Sequence, residues 1–129
     1  MFRGRYYFQL DPKGRLSIPS KFREILASQY DERLIVTNFD ECLWAYPVPE
    51  WMELEEKVAR LPQFREEVKA LQRVFISAAV ECPIDKQGRI LLPQPLREYA
   101  ALETPSEDRK GPGQIKDTVV IGMTRRIEI

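Results

Sequence analysis

The sequence contains no histidine. That removes the commonest metal ligand and the side chain most used for proton transfer near neutral pH. Only two cysteines occur, Cys42 and Cys82, and they lack the close paired spacing of a zinc site or a redox motif. Each stands beside apolar neighbours, so both are expected to be buried, reduced and inert thiols. The six glycines form neither a phosphate-cradling loop nor a dinucleotide-binding pattern. Carboxylate pairs such as Glu55-Glu56 lie in an acidic stretch with no pocket signature. Enzymatic activity, a metal, a cofactor and a small-molecule substrate are therefore not expected. No apolar run approaches the ~18 residues of a membrane span. Behind Met1-Phe2-Arg3-Gly4-Arg5 there is no apolar segment of the secretory kind. No membrane partner is expected, and the expected location is cytoplasmic.

What is present is charge, unevenly spread. Of 129 residues, 20 are basic and 20 acidic, so the formal net charge is zero. Up to Arg23 there are six basic residues (Arg3, Arg5, Lys13, Arg15, Lys21 and Arg23) and one acid, Asp11. From Asp40 to Glu67 there are eight acids against Lys57, Arg60 and Arg65. A phosphate backbone responds to local basic surface and not to the global sum, so the basic head keeps nucleic acid open as a partner. Arginines outnumber lysines 13 to 7, which favours forked contacts with phosphate and guanine. The acidic middle is more simply a solvated face.

The strongest internal pattern is a repeat. Asp11-Pro12-Lys13-Gly14-Arg15-Leu16-Ser17-Ile18-Pro19 recurs as Asp85-Lys86-Gln87-Gly88-Arg89-Ile90-Leu91-Leu92-Pro93, 74 residues on. At the same offset Phe22-Arg23-Glu24 aligns with Leu96-Arg97-Glu98, giving six identities over 14 positions. Such agreement at Asp, Gly, Arg and Pro marks a duplication. In each copy a β-rich run comes first, Tyr6–Leu10 and Ala78–Cys82. Asp-x-x-Gly then makes a turn, since Asp bonds its own backbone and Gly accepts positive φ. A second strand follows (Arg15–Ile18, Arg89–Leu92), predicted to pair with the first as a hairpin and to stop at Pro19 or Pro93. Ser20 is the predicted N-cap of a helix over Lys21–Ser28, and a partner helix starts near Pro95. A second strand pair closes each copy. Leu34–Thr37 turns at Asn38–Glu41 into Cys42–Tyr46, and Thr118–Ile121 turns at Gly122–Arg125 into Arg126–Ile129.

Between the copies two helical stripes are predicted, Trp51/Leu54/Val58/Leu61 after Pro49 and Phe64/Val68/Leu71/Phe75 after the break at Pro62. They either cover the shared core or supply a subunit contact. Glu103–Ile115, rich in Pro, Gly and charge, reads as a flexible loop without a counterpart in the first copy. The expected organisation is a first repeat over 1–50, a helical connector over 51–74 and a second repeat over 75–129. The fold class is α+β, mainly β, with peripheral helices.

The doubled Asp-x-x-Gly-Arg hairpin, preceded by Met1-Phe2-Arg3-Gly4 and followed by Pro-x-x-(Phe/Leu)-Arg-Glu, resembles the MraZ family of bacterial transcriptional regulators, within the AbrB-like superfamily. The resemblance runs from Phe2 to Ile129. It implies a swapped-hairpin AbrB-like barrel, here formed by two tandem repeats within one chain. It also implies a homo-oligomer closed into a ring, associated with the nucleoid. Its target would be double-stranded DNA carrying short tandem repeats upstream of the division and cell-wall gene cluster. The family's Asp-x-x-x-Arg motif, here Asp11/Arg15 and Asp85/Arg89, is tied to DNA binding. Two departures stand out: the loop over Glu103–Ile115 is longer than the family's link, and many members continue with a Trp where this sequence ends. An AbrB-like protein-interaction or antitoxin-type module is the alternative; a disordered toxin-binding tail would mark it, and the strand at Ile129 favours the regulator.

The candidate DNA-binding residues are Arg15 and Arg89, with Asp11, Asp85, Gly14 and Gly88 shaping their turns. Lys13, Lys86, Arg3 and Arg5 are candidate phosphate contacts. An arginine projecting from a stiff turn can meet guanine O6 and N7 together, discriminating by about 1–3 kcal/mol. The competing role for each Arg is a salt bridge to the Asp of its own turn, a purely structural clamp. Arg23 and Arg97 each adjoin a Glu, so an ion pair or subunit contact stands level with DNA contact. The second strand pairs differ in charge at their turns, Asp40 and Glu41 against Thr124, Arg125 and Arg126. That difference suits either a ring contact or plain solvation.

Overall fold

The computed structural model of the chain describes residues 1–105 and 117–129. The elements in order are β1 (Arg5–Phe8), β2 (Arg15–Ser17), α1 (Ser20–Gln29), β3 (Arg33–Phe39) and β4 (Cys42–Pro47). Next come α2 (Val48–Ala59), α3 (Glu66–Leu71) and a π-helical turn over Gln72–Ile76. The second copy supplies β5 (Val80–Pro83), β6 (Arg89–Leu91), α4 (Gln94–Tyr99), β7 (Thr118–Gly122) and β8 (Ile127–Glu128). The chain is α+β and mainly β, as expected. The loop expected over Glu103–Ile115 lies, from residue 106 onward, outside the described residues. Among the described residues no helix is long and apolar enough to cross a membrane.

The strand pairing departs from the simple hairpins expected of each copy. β1 and β2 do not pair with each other, nor do β5 and β6. β1 pairs antiparallel with β7, Tyr6 opposite Val120, and β5 pairs antiparallel with β3, Cys82 opposite Leu34. Each copy thus lends its first strand to the other copy's sheet. The six-stranded sheet runs β1-β7-β8-β4-β3-β5, which reads the same from either end once copies are exchanged. Its centre is the β4–β8 pair, Ala45 opposite Ile127. The second strands leave this sheet and pair with each other as a two-stranded ribbon, Leu16 opposite Ile90. The reason is burial. Leu16, Ile18, Ile90 and Leu92 are at most 2% exposed, and the crossed ribbon puts all four against one core. Each such side chain stabilises the fold by roughly 1.5–3 kcal/mol.

That core lies beneath the ribbon, filled by Phe2, Phe22, Leu26, Leu34, Val36 and Leu96 among others, with edge-on contacts from Phe22 to Phe2 and Tyr6. The helical stripes do something else. They build a separate cluster in which Tyr46, Trp51 and Phe75 pack with Phe39, Trp44, Leu54 and Leu71. Thr37 Oγ1 donates to the Phe75 carbonyl at 2.5 Å, tying the π-helical turn to β3. Both stripes are shorter than their spacing suggested: Leu61, the last residue of the first, is exposed, and Phe64, the first residue of the second, is 93% exposed. Helix α3 starts only at Glu66, so Phe64 belongs to the preceding turn. Helix α1 begins at Ser20 itself, with Pro19 at the cap and no side-chain cap bond. Pro19 has fixed the chain's entry, and a serine cap is not used. Both thiols are free; burial pushes Cys82 up to about 11, leaving little thiolate at neutral pH.

Candidate nucleic-acid interface

The ribbon presents two turns, one at each end. In the first, the Asp11 N–H donates to the Arg15 carbonyl at 3.0 Å and the Gly14 N–H to the Asp11 carbonyl at 2.9 Å. Asp11 Oδ1 accepts from the Lys13 and Arg15 amides at 3.0 and 2.8 Å. Asp11 Oδ2 accepts from Arg15 Nε at 2.5 Å. The second turn repeats this bond for bond. The Asp85 N–H reaches the Arg89 carbonyl at 2.8 Å and the Gly88 N–H the Asp85 carbonyl at 3.0 Å. Oδ1 of Asp85 accepts from the Gln87 and Arg89 amides, both at 2.9 Å, and Oδ2 from Arg89 Nε at 3.1 Å. Gly14 and Gly88 hold φ of +84° and +78°, a conformation that costs a side-chain-bearing residue roughly 1–2 kcal/mol.

The clamp between each Asp and its Arg is therefore present. It does not exhaust the arginine. The side-chain bond to the aspartate runs through Nε, the inner nitrogen, while a guanidinium carries five N–H donors. Arg15 and Arg89 side chains remain 31% and 25% exposed, in keeping with a held but reachable group. Arg89 Nη1 also lies 3.7 Å from Asp11 Oδ2, an ion pair across the copies. The carboxyl of Asp11 is opposed by burial, but the Arg15 and Lys13 hydrogen bonds outweigh it and hold the group below its ordinary value. Asp85 is lowered too, chiefly by the Arg89 amide bond.

Strand alternation brings the two arginines onto one face. Arg15 stands opposite Leu91 and Ser17 opposite Arg89, with Leu16 and Ile90 turned into the core between them. Arg15 and Arg89 are thus diagonal neighbours, about 7–8 Å apart. Ser17 and Leu91, the latter 57% exposed, share that face and were not among the residues expected from sequence. The signal was available, because residues two apart on a strand point the same way. Lys13 and Lys86 are exposed at the turn tips, at successive and not equivalent positions. Arg3 and Arg5 are exposed elsewhere. Residues 2–4 continue the β1 pairing onto the β7–β8 turn, where Phe2 and Thr124 exchange backbone bonds of 3.0 and 2.9 Å. Arg5 stands on β1 opposite Ile121 in the six-stranded sheet, and five residues separate it from Asp11. The structure therefore places Arg15, Arg89, Asp11, Asp85 and both glycines on the ribbon and its turns, and Arg3 and Arg5 along the β1–β7 edge of the six-stranded sheet.

The β7–β8 turn also corrects the charge comparison. Arg126 pairs with Glu128 at 2.7 Å and lies over the Trp44 ring, 3.8 Å from its centroid. It is committed within the chain, and of the two arginines only Arg125 remains to be compared with Asp40 and Glu41.

The family model described as "MraZ protein, putative antitoxin-like" matches residues 1–74 and again 75–129. The chain belongs to the MraZ family. Its relatives agree over its full length. It is 46% identical over 129 residues to the transcriptional regulator MraZ of Pelotomaculum thermopropionicum, covering 79% of that protein. It is 47% identical over 130 residues to the transcriptional regulator MraZ of Desulfitobacterium hafniense, and 43% identical over 129 residues to that of Moorella thermoacetica, covering 80% of each. The match in two segments meets at residue 74, inside the π-helical turn and just before the second copy begins.

Proposed function

We propose that this MraZ-family chain is a transcriptional regulator that binds double-stranded DNA through the outer face of the β2–β6 ribbon. The observation that carries this is the paired turn: two arginines, each fixed by an aspartate and a positive-φ glycine, side by side on one exposed face. A group already immobilised loses little freedom on docking. Arg15 and Arg89 read base edges, with Leu91 and Ser17 as their cross-strand neighbours; an apolar side chain there suits a thymine methyl. Lys13 and Lys86 hold phosphates. Arg3 and Arg5 meet backbone flanking the read bases. Asp11 and Asp85 orient, since a carboxylate facing the duplex would repel it.

The crossed strand exchange supports assignment of the swapped-hairpin AbrB-like barrel, with the repeats at 1–50 and 75–129 and the connector at 51–74. One ribbon covers few base pairs, so tandem target repeats and a closed ring of subunits, acting at the nucleoid in the cytoplasm, supply the remaining affinity through effective concentration. The test is a mobility shift on DNA upstream of the protein's own gene, with the number of repeats varied and a scrambled control. Binding that depends on sequence and weakens sharply as repeats fall to one is expected. Equal binding to the scrambled DNA contradicts the reading and favours the protein-interaction module.

A further inference from the structure

We infer that Arg23 and Arg97 are positioning residues, each bracing the DNA-reading turn of the opposite copy. This rests on the proposed DNA-binding face and assigns two residues outside it. Arg23 lies on α1 of the first copy, yet its guanidinium lies against the second copy's turn: a Cβ built on Gly88 would sit 2.6 Å from Arg23 Cζ. Arg97 lies on α4 of the second copy, and a Cβ on Gly14 would sit 2.6 Å from Arg97 Cζ. Each glycine therefore supplies a positive φ and leaves the space that its neighbour's guanidinium fills.

The brace is hydrogen-bonded at its base. Arg23 Nε donates to the Ile18 carbonyl at 3.0 Å, and the Ile18 N–H donates to the Gly88 carbonyl at 2.9 Å. In mirror fashion Arg97 Nε donates to the Leu92 carbonyl at 2.9 Å, and the Leu92 N–H to the Gly14 carbonyl at 3.1 Å. One residue, Ile18 or Leu92, thus links each arginine to the turn it covers. Both arginines are half-buried, and Glu98 accepts from Gln94 Nε2 at 2.8 Å. Arg23 and Gly88 together line two clefts, one bordered by Ser17, Ser20 and Gln87 and the other by Asp85 and Lys86. The reading arginines follow the braced glycines directly in sequence, at Arg89 and Arg15. Their aim therefore depends on where the opposite helix holds those glycines.

The crossed arrangement makes a crossed test. Arg23→Gln is expected to weaken binding to the target DNA about tenfold, leaving the salt slope unchanged. Its effect should be non-additive with Arg89→Ala and additive with Arg15→Ala. Arg97→Gln should show the opposite coupling. A drop in the salt slope of about one for Arg23→Gln identifies a direct phosphate contact and overturns the positioning role. Amide hydrogen exchange on the DNA-free protein keeps this separate from DNA binding itself. Arg23→Gln should speed exchange at Gly88 and Arg89 and leave Gly14 and Arg15 unchanged. If wild-type protein fails to discriminate DNA, the DNA-reading proposal falls while exchange still decides the brace. Exchange that rises equally in both turns, or in neither, overturns it.

Discussion

The turns Asp11–Arg15 and Asp85–Arg89 share every backbone bond and the Asp–Arg clamp, and differ in what surrounds the clamp. The first carries Pro12 and Lys13 where the second carries Lys86 and Gln87. On the ribbon's outer face Ser17 corresponds to Leu91. Asp11 has a second arginine within 3.7 Å, Arg89 of the other copy, whereas among the described residues Asp85 is paired with its own arginine alone. The shared parts are those that geometry demands: a carboxylate to collect the amides, a glycine for positive φ, an arginine on a rigid stem. The differing parts point outward and are free to suit a target. Under the proposed DNA-binding role, one frame with two surfaces suits a DNA site whose halves are similar and not identical.

The comparison breaks most severely at the inner face. Leu16→Ala and Ile90→Ala remove equivalent, fully buried anchors of the ribbon. Each is expected to destabilise the protein by about 2–5 kcal/mol in denaturant unfolding. The two costs should be similar; a large cost at one and none at the other would show that the ribbon is not a symmetric element of the core.

Acid sharpens the difference between the carboxylates. Folding lowers both Asp11 and Asp85 from the ordinary 3.8. For a lowered carboxyl, the stabilisation is complete above the unfolded value and lost as pH falls through the folded one. Stability should therefore fall as pH drops below about 4. Asp11→Asn should flatten that decline more than Asp85→Asn, because Asp11 lies near two arginines. Thermal unfolding midpoints between pH 2 and 6 measure it, and equal flattening by the two would remove the asymmetry.

The smallest effect concerns the tips. Lys13→Gln gives the first turn the residue that the second has at the aligned position. Fold stability should not change, since Lys13 is exposed. Binding should weaken equally on target and scrambled DNA, with the salt slope reduced by about one. Loss confined to the target sequence would move Lys13 from phosphate contact to base reading.

Much of this frame was legible in the sequence because local chemistry dictates it. The Asp-x-x-Gly-Arg turns, the proline stops and the second strand pairs all follow from residue type and spacing. Pairing partners did not follow. Tyr6–Phe8 and Arg15–Ser17 look like the arms of one hairpin, and only the competition for a common core sends them to different partners. Period-two alternation cannot tell a strand's own copy from its duplicate. Phe64 was misplaced for a related reason: helical spacing counts residues and does not see that the helix starts two residues later. Arg23 and Arg97 were undecided from sequence because the neighbouring glutamates are local, while the glycines they cover lie in the other copy.

The central claim is that the clamped arginines read DNA as a pair. Its most direct measurement is the equilibrium binding of wild type, Arg15→Ala, Arg89→Ala and the double variant to target and scrambled duplexes at fixed salt, with unfolding midpoints in parallel. Each clamp is partly exposed, so its loss should cost no more than about 1 kcal/mol of stability. Each single variant should lose at least tenfold in discrimination between target and scrambled DNA, as expected for about 1–3 kcal/mol per bidentate contact, and the double variant should bind both alike. Discrimination unchanged within about twofold in folded variants, well short of the tenfold that 1.4 kcal/mol represents, would contradict the account and leave the clamp as structure alone.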